Sequence, residues 1–225
     1  MASPIGDILA PAVGVAISPV PIIAVVLMLF SKRARSNSLA FLLGWVLGLT
    51  IVGVIVLYIA DTQDLSPGSG PSTAASAIKL ILGLLLLFLA AKQWRKRPKP
   101  GWEPEMPKWM KTIDSFTPAK ASGLALLLSG ANPKNLTLTL AAALSIAQAN
   151  MSSRYSLVLL GVFVVIGSIT VAIPGLIYLI RGNKAAKTLN DMKNWLIHNN
   201  ATVMFVLLLI LGVDLVGRGI AELWG

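Results

Sequence analysis

Two short proline-containing segments carry the side chains of this chain that are best suited to bind a ligand. They lie in separate long apolar stretches and read Ser18-Pro19-Val20-Pro21 and Asn132-Pro133-Lys134-Asn135. Proline has no N–H group and its ring clashes with the carbonyl one turn back, so each segment predicts a break in a helix. Ser18 and Asn132 precede the prolines and are expected to cap the helices that follow.

The start of a helix is suited to hold an anion, because free N–H groups point outward there and carry partial positive charge. Lys134 adds a full positive charge beside one of these starts. The two segments therefore predict a binding site for an anionic group such as a carboxylate, sulfate or phosphate. The expected site residues are Ser18, Pro19, Pro21, Asn132, Pro133, Lys134 and Asn135.

A structural alternative stays open, in which the prolines only kink helices and Lys134 pairs with a carboxylate. A charged side chain near the bilayer centre costs about 2.5–3.5 kcal/mol on insertion scales. A kink alone does not require such a side chain, which favours the binding site. Asp214 and Arg218 lie four residues apart and share a helix face. We expect them to form an ion pair near the outer membrane surface; alternatively, Asp214 is a proton carrier or the counter-ion of Lys134.

The composition predicts an all-α polytopic membrane protein. The 225-residue chain is 56% hydrophobic and only 12% charged, whereas soluble domains carry about a quarter charged residues. Six apolar stretches approach or exceed the roughly 20 residues that a transmembrane helix needs. They cover residues 8–30, 39–59, 74–91, 121–149, 155–180 and 201–223.

The sequence contains no cysteine and one histidine, His198. This excludes disulfides, thiol redox chemistry and thiolate metal sites. Neither a nucleophile–base pair nor a metal-binding cluster is recognisable. We therefore expect no enzyme activity, no catalytic residue, no cofactor and no metal.

The net charge of +10 is distributed unevenly between the predicted loops. Most of the 19 basic residues follow the first, third and fifth apolar stretches, in three alternate loops. The other two loops hold Asp61, Asp64 and Arg154. By the positive-inside rule, the basic loops are cytoplasmic and both termini lie outside a plasma membrane. This placement predicts contact with the bilayer and its acidic headgroups, and no nucleic-acid partner.

The two halves of the chain resemble each other. The breaks at Pro19 and Pro133 correspond, and Leu80-Ile81-Leu82-Gly83 is matched by Leu209-Ile210-Leu211-Gly212. Three spans per half place the halves in opposite orientations, so the sequence predicts a 3+3 inverted repeat with proline-broken helices 1 and 4. The boundaries are 1–97 for the first repeat, 98–120 for a cytoplasmic linker with an amphipathic segment, and 121–225 for the second repeat. Together they form a single membrane domain.

Several further features suggest how the chain meets the membrane. Lys79 is expected to reach from its span to the membrane surface. Gly44 and Gly48 form a small-residue face for helix packing or for a homodimer. Two amphipathic stretches are expected in the headgroup layer, one with Trp109, Ile113 and Phe116 and the other with Leu189, Met192 and Leu196.

The chain resembles the glycolipid-addressing (GAP, or Sap, sulfolipid-addressing) proteins of actinobacteria, a branch of the lysine-exporter (LysE) superfamily. The resemblance covers nearly the whole length. It rests on five motifs, which are Ser18-Pro19-Val20-Pro21-Ile22, Phe41-Leu42-Leu43-Gly44-Trp45, Pro107-Lys108-Trp109-Met110, Asn132-Pro133-Lys134-Asn135-Leu136 and Asn194-Trp195-Leu196. Thiol-disulfide carriers of the wider superfamily have a cysteine in place of Val20, and this chain has none.

The resemblance implies a membrane protein that moves a cell-envelope glycolipid or peptidoglycolipid, or its precursor, towards the surface. Together with the charged break, this predicts an exporter or flippase-like transporter with an anionic or glycolipid substrate. Two alternatives stay open. One is an accessory or scaffold subunit that docks on a larger lipid transporter, and the other is an exporter of small solutes such as amino acids.

Overall fold

The computed structural model describes residues 4–62, 73–97, 112–113, 115–149 and 151–224, which are largely helical and contain no strand within these ranges. The all-α prediction is therefore confirmed. The helices are α1 (Pro4–Ala16), α2 (Pro19–Leu29), α3 (Ala34–Thr62), α4 (Thr73–Arg95), α5 (Pro118–Gly130), α6 (Pro133–Gln148), α7 (Ser153–Arg181) and α8 (Ala186–Trp224). A short 3-10 turn, Gly182–Ala185, joins α7 to α8.

Several of these helices are long and apolar enough to cross a membrane. The helices α3, α4, α7 and α8 meet this condition individually, and α1 and α2 meet it as a pair bent by 48°. Large apolar side chains such as Ile81, Phe88 and Val165 are exposed on their outer faces, as expected for contact with lipid. The chain is therefore a multi-pass membrane protein.

The stretch predicted as the fourth span differs from the other five. Residues 121–149 fall in two helices, α5 with 13 residues and α6 with 16, and this pair does not qualify as a membrane span. The structure thus supplies four spans, or five when the bent pair is counted. Six spans are not established by these helices.

Both helix interruptions lie at the prolines, with Ser18 and Asn132 as extended N-cap residues. Asn132 accepts a 3.0 Å hydrogen bond from the Lys134 backbone N–H through its side-chain oxygen, which is the expected cap. Ser18 makes no such bond, so the expectation of a side-chain cap there is wrong. Pro21 removes one of the two N–H groups that an N-cap side chain normally reaches, and the Ser18 hydroxyl bonds instead to the Val15 carbonyl oxygen and to Lys134 Nζ.

Glycines allow the closest helix contacts. A Cβ atom on Gly44 would lie 2.3 Å from the Ser122 carbonyl oxygen, and one on Gly48 would lie 2.0 Å from the Ser129 hydroxyl. The face formed by Gly44 and Gly48 is therefore covered by α5 of the same chain, and a second copy of the chain would have to use another surface. On the other side of the molecule, Gly212 lets α8 approach α4 in a similar way.

The helix α8 joins one predicted amphipathic stretch to the last predicted span. With 39 residues it is about 58 Å long at 1.5 Å per residue, so it extends well beyond a hydrocarbon core of about 30 Å. Leu189 and Leu196 near its start are buried against apolar side chains of α2. These two apolar side chains thus pack on protein, and the position of the stretch in the headgroup layer stays a prediction.

The other predicted amphipathic stretch is described only in part. Trp109 lies outside the described residues, as does the proline-rich segment that follows Arg97. Ile113 is buried in the main core, and Phe116 packs against that core. These two apolar side chains thus pack on the protein core.

Candidate functional site

The two helix interruptions touch each other inside the molecule. The Ser18 hydroxyl lies 3.1 Å from Asn135 Oδ1 and 2.7 Å from the Val15 carbonyl oxygen, so it can donate its proton to either acceptor. It also accepts a 2.5 Å hydrogen bond from Lys134 Nζ. Asn135 donates through Nδ2 to the Leu128 carbonyl oxygen at 2.8 Å. A single hydrogen-bonded network therefore links the break after α1 to the break after α5.

Lys134 reaches from the start of α6 to the carbonyl end of α1. Its Nζ donates to the Gly14 carbonyl oxygen at 2.6 Å and to that of Ile17 at 3.5 Å. The last four carbonyls of a helix lack partners within the helix, and a membrane supplies no water to replace them. Lys134 thus meets a structural need of the broken helix α1.

Each of the last four carbonyl groups of α1 has a donor. The backbone N–H of Ile17 serves Val13, Lys134 serves Gly14, the Ser18 hydroxyl serves Val15, and both the Ser18 N–H and the Thr170 hydroxyl serve Ala16. Side chains from α6 and α7 contribute two of these donors. The interruption is therefore stabilised both by the residues that follow it and by distant parts of the chain.

The charge of Lys134 has no carboxylate partner in the part of the chain that the structure describes. The residue is 6% exposed, and none of the ion pairs among the described residues includes it. Its oxygen partners are two carbonyls and a hydroxyl, which carry only partial charge. A helix carbonyl end offsets roughly half of an elementary charge, which is less than the full charge of a protonated lysine.

A cavity of about 260 Å³ adjoins this network. The N-terminal ends of α2 and α6 form one wall, and α4 and α8 form the other. All seven residues predicted for the site line this cavity, namely Ser18, Pro19, Pro21, Asn132, Pro133, Lys134 and Asn135. The apolar part of the lining comes from Leu89, Met204 and Leu208, together with Val20.

Each of the two helix starts offers one backbone donor to the cavity wall. Proline removes the N–H at positions 19, 21 and 133, and the Lys134 N–H is taken by the Asn132 side chain. The N–H groups of Val20 and Asn135 have no hydrogen-bond partner among the described residues. The cavity therefore has two free backbone donors beside the Lys134 ammonium group.

Four polar residues in the cavity lining were missed in the sequence analysis. They are Lys92, Gln93 and Lys96 near the end of α4, and Asn200 of α8. The spacing of four residues between Lys92 and Lys96 places them on one helix face and was the available signal. Asn200 Oδ1 is buried and has no hydrogen-bond partner within the described part of the chain, so the cavity lining that holds the three lysines also contains a free acceptor.

The remaining two predicted residues, Asp214 and Arg218, lie in a separate cluster. Arg218 Nε is 3.0 Å from Asp214 Oδ2, and Arg218 Nη1 forms an ion pair with Asp7 of α1. Neither Asp214 nor Arg218 lines the cavity. The pair thus connects α1 to α8 away from Lys134.

Lys79 forms a second ion pair in the same region. It is 4% exposed, and its Nζ lies 2.7 Å from Glu222 Oε1. Ser76 donates to the other oxygen of Glu222 at 3.0 Å. The expectation that Lys79 reaches to the membrane surface is therefore wrong, because a carboxylate on α8 holds it inside the molecule.

The arrangement at the cavity is suited to bind an anionic group. Three lysines and two residues with free backbone N–H groups line this cavity, and none of the three lysines has a carboxylate partner within the described ranges. No group of three potential metal-ligating side chains occurs among the residues described.

Comparison with known proteins gives one match. A family model described as "Sap, sulfolipid-1-addressing protein" matches residues 8–221. This range contains both helix interruptions and every residue of the cavity lining. No curated protein and no solved structure matches the chain.

Proposed function

Because the chain belongs to the sulfolipid-1-addressing protein family, we propose that it is an exporter or flippase-like transporter of an anionic lipid. The substrate is a cell-envelope glycolipid or peptidoglycolipid, or its precursor, and it crosses the plasma membrane. The observation that carries the proposal is Lys134, a buried cation without a carboxylate partner in a cavity where two helix interruptions meet. An intramembrane ionisable residue of this kind indicates a functional site.

The anionic headgroup binds between the two helix starts. Lys92 and Lys96 attract the headgroup from the end of α4, and the free N–H groups of Val20 and Asn135 donate hydrogen bonds to its oxygens. Lys134 donates to the same anion from within the wall. The apolar side chains of Leu89, Met204 and Leu208 accommodate the part of the lipid next to the headgroup.

Binding of the anion is coupled to the position of α1. The ammonium group of Lys134 has three N–H bonds, and all three already point to partners in the network. The longest of these contacts, 3.5 Å to the Ile17 carbonyl oxygen, is the weakest by geometry. An anion therefore replaces this carbonyl first, which loosens the end of α1 and favours a second arrangement of the broken helix.

We further propose the six-span 3+3 inverted repeat and membership of the lysine-exporter superfamily. The packing supports the repeat: α2 packs against α7 and α8, and α6 packs against α3 and α4. Exchange of the two halves converts the first set of contacts into the second. The contacts of α3 with α5 and of α7 with α1 are related in the same way.

The proposed orientation has both termini outside and the basic segments in the cytoplasm, as the positive-inside rule requires. In that orientation the end of α4 with Lys92 and Lys96 faces the cytoplasm. The cavity then accepts its substrate from the side on which lipid precursors are made.

The test is a deletion strain that carries either Lys134→Gln or Lys120→Gln. Glutamine keeps an N–H donor for the α1 carbonyls and removes the charge. Lys120 is exposed on α5 and does not line the cavity, so its substitution is the matched control. With equal protein levels in the membrane, Lys134→Gln retains the lipid inside the cell and lowers export about 10- to 100-fold. This range corresponds to loss of a charged hydrogen bond of about 1.5–3 kcal/mol.

Normal export from the Lys134→Gln variant would overturn the assignment of the site. Purified protein in liposomes separates the remaining functions. Movement of labelled lipid supports the transporter, whereas no movement by correctly folded protein points to a scaffold subunit of a larger complex. Accumulation of amino acids instead of lipid in the deletion strain would point to a small-solute exporter.

A further inference from the structure

A second cavity, of about 220 Å³, lies between α2, α3 and α7 and is lined almost entirely by apolar side chains. It shares no lining residue with the cavity that contains Lys134. Val25, Leu29 and Val171 are buried and form its floor, while Leu39, Leu176 and Leu179 are exposed and form its rims. The cavity is thus an apolar groove that opens on the outer surface of the helices.

All three helices that form this groove are parts of candidate membrane spans, so its open side faces lipid. The lining of α3 extends from Arg35 to Leu42, which is about 10 Å at 1.5 Å per residue. One leaflet of a hydrocarbon core about 30 Å thick measures about 15 Å. The groove therefore covers most of the depth of one leaflet and has the proportions of a lipid chain.

One end of the groove carries a cation. Arg35 belongs to the lining, is exposed, and forms no ion pair among the described residues. Lys32 and Arg33 precede it on the chain, and Arg181 ends α7 at the same side. Neither residues 29–42 nor residues 171–187 contain an aspartate or glutamate. The local charge at this end of the groove is accordingly positive.

We propose that this groove is a binding site for an anionic phospholipid of the bilayer, with one acyl chain between α2, α3 and α7 and its phosphate paired with Arg35. Apolar walls and a cation at headgroup depth together match a negatively charged lipid rather than a zwitterionic one. Arginine suits this role because its planar group can bind phosphate oxygens in pairs. The site is independent of the transport cavity, and its lipid is a bound partner of the protein.

Two pairs of variants test the site, and each pair has a matched control. Gly175 lines the groove, and an added Cβ atom there would meet nothing within 4 Å, as is also true of Gly161 on the same helix. Gly175→Leu therefore places a side chain in the groove with free space for its Cβ atom, and Gly161→Leu is the control outside the groove. Arg35→Gln removes the cation, and Arg33→Gln removes an equally exposed neighbour that does not line the groove.

The measurement is native mass spectrometry of each purified variant from bilayers of equal phosphatidylglycerol and phosphatidylcholine. The unaltered protein retains phosphatidylglycerol preferentially, at about one molecule per chain. Arg35→Gln lowers this preference about fivefold, as expected for one basic residue at a membrane surface, and Gly175→Leu lowers the retention of both lipids. Gly161→Leu behaves as the unaltered protein does, and Arg33→Gln lowers the preference less than Arg35→Gln because its charge lies beside the groove and not in its lining.

Retention of phosphatidylglycerol by Arg35→Gln and Gly175→Leu at the unaltered level would overturn the proposal. So would equal retention of both lipids by the unaltered protein. The readout is lipid binding alone, so failure here leaves the proposed transport function untouched. Conversely, the Lys134→Gln variant should retain phosphatidylglycerol in the groove as the unaltered protein does, even if it no longer exports its substrate.

Discussion

The helix α4 carries lysines near both of its ends, and the two ends differ in how these charges are treated. Near the start, Lys79 is buried and pairs with Glu222 at 2.7 Å. Near the end, Lys92 and Lys96 line a cavity together with Lys134. No described carboxylate forms an ion pair with Lys92, Lys96 or Lys134. The first end is neutralised by the protein itself, and the second is not.

This difference distinguishes cations that link helices from cations that remain available to a ligand. Arg218 at the first end joins Asp7 of α1 to Asp214 of α8, and Lys79 joins α4 to α8. At the second end, the hydrogen-bond partners of the Lys134 ammonium group within the described ranges are carbonyl and hydroxyl groups. A buried charge without a charged partner is unfavourable, which supports our proposal that an anion binds there.

The largest effect on lipid affinity is expected when the cavity loses the charges of Lys92 and Lys96. The double variant Lys92→Gln and Lys96→Gln removes two cations from the cavity lining, each worth about 1 kcal/mol near a membrane surface. Affinity for sulfatide, an anionic glycolipid, should fall about thirtyfold, while affinity for its uncharged parent galactosylceramide stays the same. Binding to the purified protein measures both values.

The matched control replaces Arg95 and Lys120 by glutamine. Both are exposed, and neither lines the cavity, so the net charge falls equally while the cavity keeps its lysines. Near-normal sulfatide affinity is expected in this control. An equal loss of affinity in both double variants would mean that overall charge, rather than the cavity, attracts the lipid.

A smaller effect is expected at the neutralised end. Asp7→Asn removes the ion pair between Asp7 of α1 and Arg218 of α8. The Arg218 side chain is 34% exposed and the Asp7 side chain 24% exposed. Partly exposed ion pairs contribute at most about 1 kcal/mol, so thermal unfolding should begin a few degrees lower in detergent. Sulfatide affinity should be unchanged. Asp191→Asn, an exposed site on α8 outside these ion pairs, is the control; loss of sulfatide binding in Asp7→Asn would contradict the comparison.

The sequence was most informative where a residue type, such as proline, determines the backbone conformation. Proline at positions 19 and 133 determined both helix interruptions, and the position of Asn132 predicted its cap correctly. Such local rules depend only on neighbouring residues, and so they were available without a structure. The Ser18 cap was predicted wrongly because the Ser18 hydroxyl bonds instead to the Val15 carbonyl oxygen and to Lys134, which is 116 residues away.

The features that could not be predicted from the sequence depend on where helices end and on which distant residues a side chain contacts. The apolar stretch of α4 stops at Ala91, but the helix continues to Arg95, which brings Lys92 into the cavity wall. No proline or glycine interrupts residues 186–211, so α8 continues through its amphipathic start. The partner of Lys79 is 143 residues away, and no spacing rule connects residues at that distance.

We propose that the cavity binds an anion because its cations are not neutralised, and the variant Asn200→Asp provides the sharpest test. This substitution places a carboxylate at the buried, unpartnered oxygen of the cavity and makes the second end resemble the first. Asn199→Asp, at the neighbouring position outside the lining, adds the same charge as a control. We predict that sulfatide affinity falls about tenfold or more in Asn200→Asp, corresponding to about 1.4 kcal/mol, and stays near normal in Asn199→Asp. Unchanged sulfatide affinity in a correctly folded Asn200→Asp protein would contradict the account.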